Sequence, residues 1–262
     1  MPEVDVGDLR IAYAAAGEGR PLVLLHGAPG NSGLWHRQLD GLAADFAVLA
    51  WDAPGCGGSA DPPEGWRMPD FADCLAAWLD AIGVERPHVL GLSWGSTLAL
   101  ELYRRHSHLP ASLVLVGAYA GWAGSLADDV VAERLEKILS EVDRPPEEWA
   151  ASYIPGFVTD AAPPALAAEL VAMVGEHHPA GTRTMARAMA EADLRDVLPR
   201  IDVPTLLLYG ELDRRSPLSV AEELHAAIPG SELVVLPASG HVCNVEKPAE
   251  FDAAVRDFLR PL

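Results

Sequence analysis

The chain has 262 residues, 50% hydrophobic and 22% charged, the balance of a globular chain and not of a disordered or fibrous one; such a length suits one α/β unit or one that carries an insertion. Nineteen Lys and Arg against 38 Asp and Glu leave a net charge of -19, which repels phosphate backbones and anionic bilayers and argues against nucleic acid and membrane as partners. No apolar run approaches the roughly 20 residues of a membrane span, and the acidic opening MPEVDVGDLR is unlike a secretory signal, so the expected location is cytoplasmic.

In chain order, short Val-, Leu- and Ile-rich runs predict strands at 3–7, 10–15, 22–25, 46–51, 87–92, 112–117, 204–209 and 232–236. Between them, helical periodicity predicts helices near 32–40, 68–82, 94–107, 217–228 and 247–260. This alternation is the mark of a mostly parallel sheet covered by helices. The first two strands lie close enough, across Val6, Gly7 and Asp8, to form an antiparallel hairpin. The rhythm breaks over 119–197, where Ala, Glu, Met and Trp accumulate, proline pairs occur at Pro145-Pro146 and Pro163-Pro164, and the periodicity is helical only. A helical insertion at the carboxyl end of the sheet would lie where open α/β folds bind ligands. Cys56, Cys74 and Cys243 are too few and too scattered for a disulfide framework, and no Cys/His spacing suits a metal, so free thiols, no metal and no cofactor are expected.

Chemistry concentrates at GLSWGS, residues 91–96. The G-x-S-x-G pattern is weak alone, but here it joins a predicted strand to a predicted helix, where a sharp turn lifts the Ser93 hydroxyl above the sheet edge. Gly91 and Gly95 are needed because side chains there would collide with the crossing strand and helix. A serine hydroxyl becomes nucleophilic only with a base in hydrogen-bonding reach and a partner that holds the base's tautomer. LLLYGELDRRSP ends a strand with Asp213, and LVVLPASGH leads from the next strand to His241. Loops after neighbouring parallel strands emerge on one edge of a sheet, so Ser93, Asp213 and His241 can converge, in the chain order associated with this elbow. Glu211 is the competing acid; Asp213 is preferred because it lies further out from the strand. HGAPGN, 26–31, follows a strand with glycines that turn a backbone N–H inward, which makes Ala28 and Trp94 the expected oxyanion donors. A phosphate loop would need a terminal lysine and hydroxyl residue that this stretch lacks.

Of the other histidines, His26 is read as a shaper of its loop, His106 and His108 as partners of helix carbonyls, and His177 and His178 as a solvated pair in the insertion.

Taken together, these segments resemble the α/β-hydrolase superfamily: LLHGAPGNSGLW as the oxyanion loop, WDAPGCGGS as a turn, GLSWGS as the elbow, GELD for the acid, and SGH followed by NVEKPAEF for the histidine and last helix. The resemblance implies the α/β-hydrolase fold, with a mostly parallel eight-stranded sheet, helices on both faces and a helical cap. It divides the chain into a core at 1–118 and 198–262 and a cap at 119–197. It also makes Asp52, Gly55, Gly57 and Ser59 structural turn residues. Serine at 93 distinguishes the chain from the dehalogenase and epoxide hydrolase branches, which carry aspartate there. The elbow is similar to that of the prolyl aminopeptidases, while AMAEADLRDVLPRIDVPTLLLYGELD resembles the enol-lactone hydrolases and small esterases.

The implied activity is cleavage of a carboxylic ester or lactone through an acyl-enzyme, with a small-molecule ester, lactone or amide as substrate. Two other readings stand beside it: a prolyl aminopeptidase-like enzyme, which would turn Glu176 or Glu191 towards Ser93, and a non-catalytic ligand-binding hydrolase fold. The expected substrate-binding residues are Ala28, Trp94, Trp122, Tyr153, Met173 and Val242, and their apolar character implies a hydrophobic or neutral acyl group.

Overall fold

Eight strands line up in one sheet in the computed structural model, which describes all residues from Met1 to Leu262. They are β1 (Glu3–Val6), β2 (Leu9–Ala16), β3 (Arg20–Leu25), β4 (Phe46–Trp51), β5 (His88–Leu92), β6 (Ser112–Val116), β7 (Thr205–Gly210) and β8 (Glu232–Leu236). The spatial order is β1-β2-β4-β3-β5-β6-β7-β8. Only β1 with β2 and β2 with β4 pair antiparallel; the other five pairings are parallel. Each predicted strand exists within two residues of its expected ends; the central runs PLVLL and SLVLV are apolar on both sides, as a strand buried on both faces requires, whereas β1 at the edge alternates exposed and half-buried residues.

Ten helices complete the chain: α1 (His36–Leu42), α2 (Met68–Ala81), α3 (Trp94–Arg105), α4 (Asp128–Glu141), α5 (Ile154–Phe157), α6 (Pro164–Gly175), α7 (Pro179–Glu191), α8 (Leu218–Ala227), α9 (Cys243–Glu246) and α10 (Pro248–Leu259). The helix predicted at 32–40 is split, its first turn being a 3-10 helix over Ser32–Trp35 with Asn31 capping Gly33 N–H. Alternate strand residues feed two cores. Val23, Leu25, Val89, Leu113, Leu115 and Leu207 pack against α2, α3 and α8. Leu22, Leu24, Leu90, Val114, Leu206 and Leu208 pack with Leu42 of α1 and with Phe251, Val255 and Leu259 of α10. Between β6 and β7 the chain forms only helices and 3-10 turns, α4 to α7. No helix is long and apolar enough to cross a membrane.

The strand order places the ligand site. From β3 the chain moves outward to β4, then returns to the other side of β3 to form β5. Connections therefore leave β3 and β5 in opposite directions, and a crevice opens beyond their carboxyl ends. Residues 26–31 follow β3 and Ser93 follows β5 at that crevice.

Candidate active site

Ser93 stands between the last residue of β5 and the first of α3 with φ 55° and ψ -112°, a conformation that a residue with a Cβ adopts only under constraint. The constraint is visible. Ser93 N–H donates to the Val116 carbonyl at 2.8 Å, and Ser96 Oγ donates to the Gly91 carbonyl at 2.6 Å and accepts Val116 N–H at 3.1 Å. A Cβ on Gly91 would run into the backbone of Gly95, and one on Gly95 into the Leu25 carbonyl. The elbow is thus tied to β6 on one side and pressed against β3 on the other, and the Ser93 side chain is held out above the strand ends.

Asp213 and His241 come from the loops after β7 and β8. The His241 Nδ1–Asp213 Oδ2 distance is 2.8 Å, with both side chains almost wholly buried. The other carboxylate oxygen, Oδ1, accepts the N–H groups of Arg215 and Ser216, each at 2.8 Å. Two backbone donors hold the carboxylate so that Oδ2 faces Nδ1, an arrangement that suits the tautomer with the proton on Nδ1 and Nε2 free to accept. Glu211, the competing acid, lies on the exposed rim and accepts Ala238 N–H at 2.9 Å. Gly117, at φ +49°, follows β6 directly behind the pair, and a Cβ there would approach the His241 ring to 2.9 Å. Ser93 and His241 border the same small cavity without a hydrogen bond between them; in ligand-free enzymes such bonds are often long and tighten when substrate arrives.

Neither Ala28 N–H nor Trp94 N–H donates to any acceptor in the protein. Trp94 is the first residue of α3, where backbone donors have no partner within the helix and the helix dipole favours negative charge. Ala28 owes its free N–H to the loop around it. His26, fully buried, bonds the Gly27 carbonyl through Nδ1 and accepts Ala53 N–H at 3.1 Å through Nε2. Burial lowers its pKa, so it is neutral and serves to hold the loop. Asp52 accepts Ser32 N–H at 2.7 Å and Gly58 N–H at 2.8 Å, and Ser59 Oγ returns to the Asp52 carbonyl.

Two cavities meet at Ser93. The larger, about 610 Å³ counting its opening to solvent, is bordered by Ala28, Trp94, Trp122 and Tyr153. The smaller, of about 290 Å³, is bordered by Ala28, His241, Met173 and Val242. The six residues expected around a substrate are thus divided between them. Sequence reasoning missed Arg134, Glu141 and Arg215 in the larger cavity. On an amphipathic helix, Arg134 and Glu141 look like any solvated face, and nothing local marks Arg215 apart from its neighbour Arg214.

Other titratable groups have plain occupations. Glu176 accepts from Asn31 at 3.3 Å and Glu191 pairs with Arg67, so neither is turned towards Ser93. His177 bonds the Val142 carbonyl and His178 the Asp61 carboxylate, and neither borders either cavity. His106 Nε2 meets Asp73 at 2.8 Å, where a helix carbonyl was expected: the carboxylate on α2 offers a stronger partner than a peptide oxygen. The Cys243 thiol is buried and its pKa is pushed up by that burial, so it offers no thiolate beside His241. No cluster of three or more His, Cys, Asp or Glu side chains could hold a metal ion.

The family model described as "Alpha/beta hydrolase family" matches residues 22–254. Among curated relatives, a putative carbamate hydrolase of Pseudomonas savastanoi pv. phaseolicola is 31% identical over 91% of this chain and 93% of its own length. Among solved structures, a thermophilic esterase from Thermogutta terrifontis, with malate bound, superposes with a TM-score of 0.93 at 28% identity, covering 100% of this chain and 99% of that one. The enol-lactonase from Burkholderia xenovorans LB400 superposes with a TM-score of 0.90 at 25% identity, over 99% of this chain and 100% of that one.

Proposed function

The chain belongs to the alpha/beta hydrolase family, and from that premise we propose that it is a serine hydrolase cleaving carboxylic esters or lactones through an acyl-enzyme, with Ser93 as nucleophile, His241 as base and Asp213 as its orienting acid. The observation that carries the reading is the buried Asp213–His241 bond of 2.8 Å across the crevice from the constrained Ser93 turn. In acylation, His241 Nε2 takes the Ser93 proton as Oγ bonds to the acyl carbon, and the carbonyl oxygen gains a negative charge. Ala28 N–H and Trp94 N–H receive that charge; one such donor is worth about 3 kcal/mol of barrier. His241 then returns its proton to the leaving oxygen, the C–O bond breaks and the alcohol departs. Water attacks the acyl-enzyme by the same route and releases the acid and Ser93.

The two cavities suit the two halves of such a substrate. A leaving oxygen must lie within reach of His241, and His241 borders the smaller cavity, so the alcohol side belongs there and the acyl side in the larger one. Residues 119–197 act as a cap: Trp122, Tyr153 and Met173 come from it and close the space over Ser93. Members of the fold named as an esterase and an enol-lactonase support ester and lactone chemistry. An aminopeptidase would need a carboxylate for the substrate's ammonium group; Glu176 and Glu191 are engaged elsewhere, and Glu141, the acid that borders the larger cavity, accepts the Tyr153 hydroxyl and shares that wall with the cationic Arg134 and Arg215.

A panel of p-nitrophenyl esters, simple lactones and prolyl p-nitroanilide tests the assignment. Turnover of esters or lactones is expected, with a burst of one p-nitrophenol per chain where deacylation is slow. Release of p-nitroaniline from the prolyl amide, with esters untouched, would replace this reading by the peptidase one.

A further inference from the structure

The wall of the larger cavity is more polar than its aromatic residues suggest. In a chain with 38 acidic and 19 basic Lys and Arg side chains, most basic groups lie against a carboxylate, as in Arg37–Glu169, Arg105–Asp73, Arg183–Asp143 and Arg256–Asp45. Seven have none within 4.0 Å, among them Arg134, Lys137 and Arg215. These three gather at one place. Arg134 and Arg215 border the larger cavity beside Ser93, and together with Lys137 and Arg214 they border an adjoining opening of about 590 Å³ that has no acidic residue in its lining. Arg214 is engaged with Asp160 at 3.1 Å.

Arg215 is the most telling of the group. Its side chain lies half-buried over the faces of Tyr153, at 5.9 Å, and Phe157, at 5.2 Å. None of its guanidinium N–H groups donates to a protein acceptor, and none is sealed from solvent. Burial foremost, and the like charge of Arg134 in addition, pull its pKa below the ordinary value. Arg134 spends two donors on the Tyr119 hydroxyl and the Arg215 carbonyl, each at 3.1 Å, which holds it beside Arg215. Lys137 stands over the outer side of Tyr153, 4.8 Å from the ring centroid. Two acids bear on this group: Glu141, whose carboxylate accepts the Tyr153 hydroxyl at 2.9 Å, and Asp213, whose charge reaches Arg215 but whose oxygens are taken by His241 and by the N–H groups of Arg215 and Ser216. A planar guanidinium lying over two neighbouring aromatic rings with its fork unfilled matches a carboxylate in two-point contact.

We propose that the substrate's acyl chain ends in a carboxylate that binds Arg215, flanked by Arg134 and Lys137, so that the preferred substrates are half-esters of dicarboxylic acids. The inference rests on the serine-hydrolase reading for its placement of the acyl group and specifies the substrate class for the same site. It also replaces the hydrophobic or neutral acyl group expected from the cap's aromatic residues. Those rings would hold the methylene chain while the arginines hold its end.

The test compares mono-p-nitrophenyl adipate with p-nitrophenyl hexanoate, which have acyl chains of equal length and differ in the terminal charge. The half-ester should show a kcat/KM at least about 10-fold higher, with a KM that rises on adding salt, since an ion pair open to solvent is screened. Arg215→Gln should lower the half-ester to hexanoate ratio by about 10- to 100-fold through KM, and Arg215→Lys should restore part of it, with melting temperatures confirming that both variants fold. A preference for hexanoate in the parent, or a ratio unmoved by Arg215→Gln, would overturn the proposal. Adipate affinity is measured in parallel by calorimetry in Ser93→Ala and in Ser93→Ala with Arg215→Gln, so the anion site is decided even if neither ester turns over. Failure of turnover counts against the serine-hydrolase reading, whereas equal adipate affinity in the two variants counts against the anion site.

Discussion

Replacing Ser93 by alanine is expected to lower kcat on any substrate of the parent by about 10⁴- to 10⁶-fold while leaving the melting temperature within a few degrees. The two halves of that expectation have separate causes. Without Oγ no covalent intermediate forms, and what remains is the slow attack of water on an ester polarised by the N–H groups of Ala28 and Trp94. The fold loses little because the bonds that hold the turn are made by Ser93 N–H and by Ser96 Oγ; the Ser93 hydroxyl has no partner in the protein to orphan. Steady-state assays at high enzyme concentration and a thermal melt check both halves. Turnover at the parent rate would remove Ser93 from the reaction.

The second large effect concerns Asp213. An Asp213→Asn variant keeps the shape of the carboxylate, and its carbonyl oxygen can still accept Arg215 N–H and Ser216 N–H, as Oδ1 does now. That arrangement turns the amide nitrogen towards His241 Nδ1. An amide donor there requires Nδ1 to accept, which moves the ring proton to Nε2, and Nε2–H cannot take a proton from Ser93. A loss of about 10⁴ in kcat is expected, with KM little changed, as for other triads in which the imidazole is trapped in the wrong tautomer. A Glu211→Gln variant is the natural comparison, because that side chain sits on the rim and touches only Ala238 N–H; its rate should stay within a few-fold of the parent. Equal losses in the two variants would mean that Asp213 has no special part.

The central strands β3, β5, β6 and β7 were legible because a strand buried on both faces is apolar at nearly every position, as in the short run PLVLL; β1, with EVDV at the sheet edge, was legible from its alternation instead. The elbow was legible for a different reason: Gly91 and Gly95 stand where a Cβ would meet backbone, so a steric demand is written directly as residue type. Asp213 and His241 were found by their position after successive parallel strands, which topology brings to one edge. The basic group at the larger cavity was not legible. Arg134 and Lys137 occur in DDVVAERLEKILSE, a stretch whose charges look like a solvated helix face, and only the folding of α4 beside the loop after β7, where Arg134 bonds the Arg215 carbonyl, brings them to Arg215. Nor could sequence show which charges lack partners. Arg37, for instance, finds Glu169 across 132 residues of chain, whereas Arg215 finds none, and such long-range pairing exists only once the chain has folded.

The most direct check on the central claim is to treat the protein with a fluorophosphonate, which transfers its phosphonyl group to an activated serine with loss of fluoride, and to locate the adduct by mass spectrometry. One phosphonyl group per chain is expected, carried by Ser93, with labelling slowed by orders of magnitude in His241→Ala. An unlabelled chain, or an adduct on any other residue, would contradict the assignment of Ser93 as a nucleophile activated by His241.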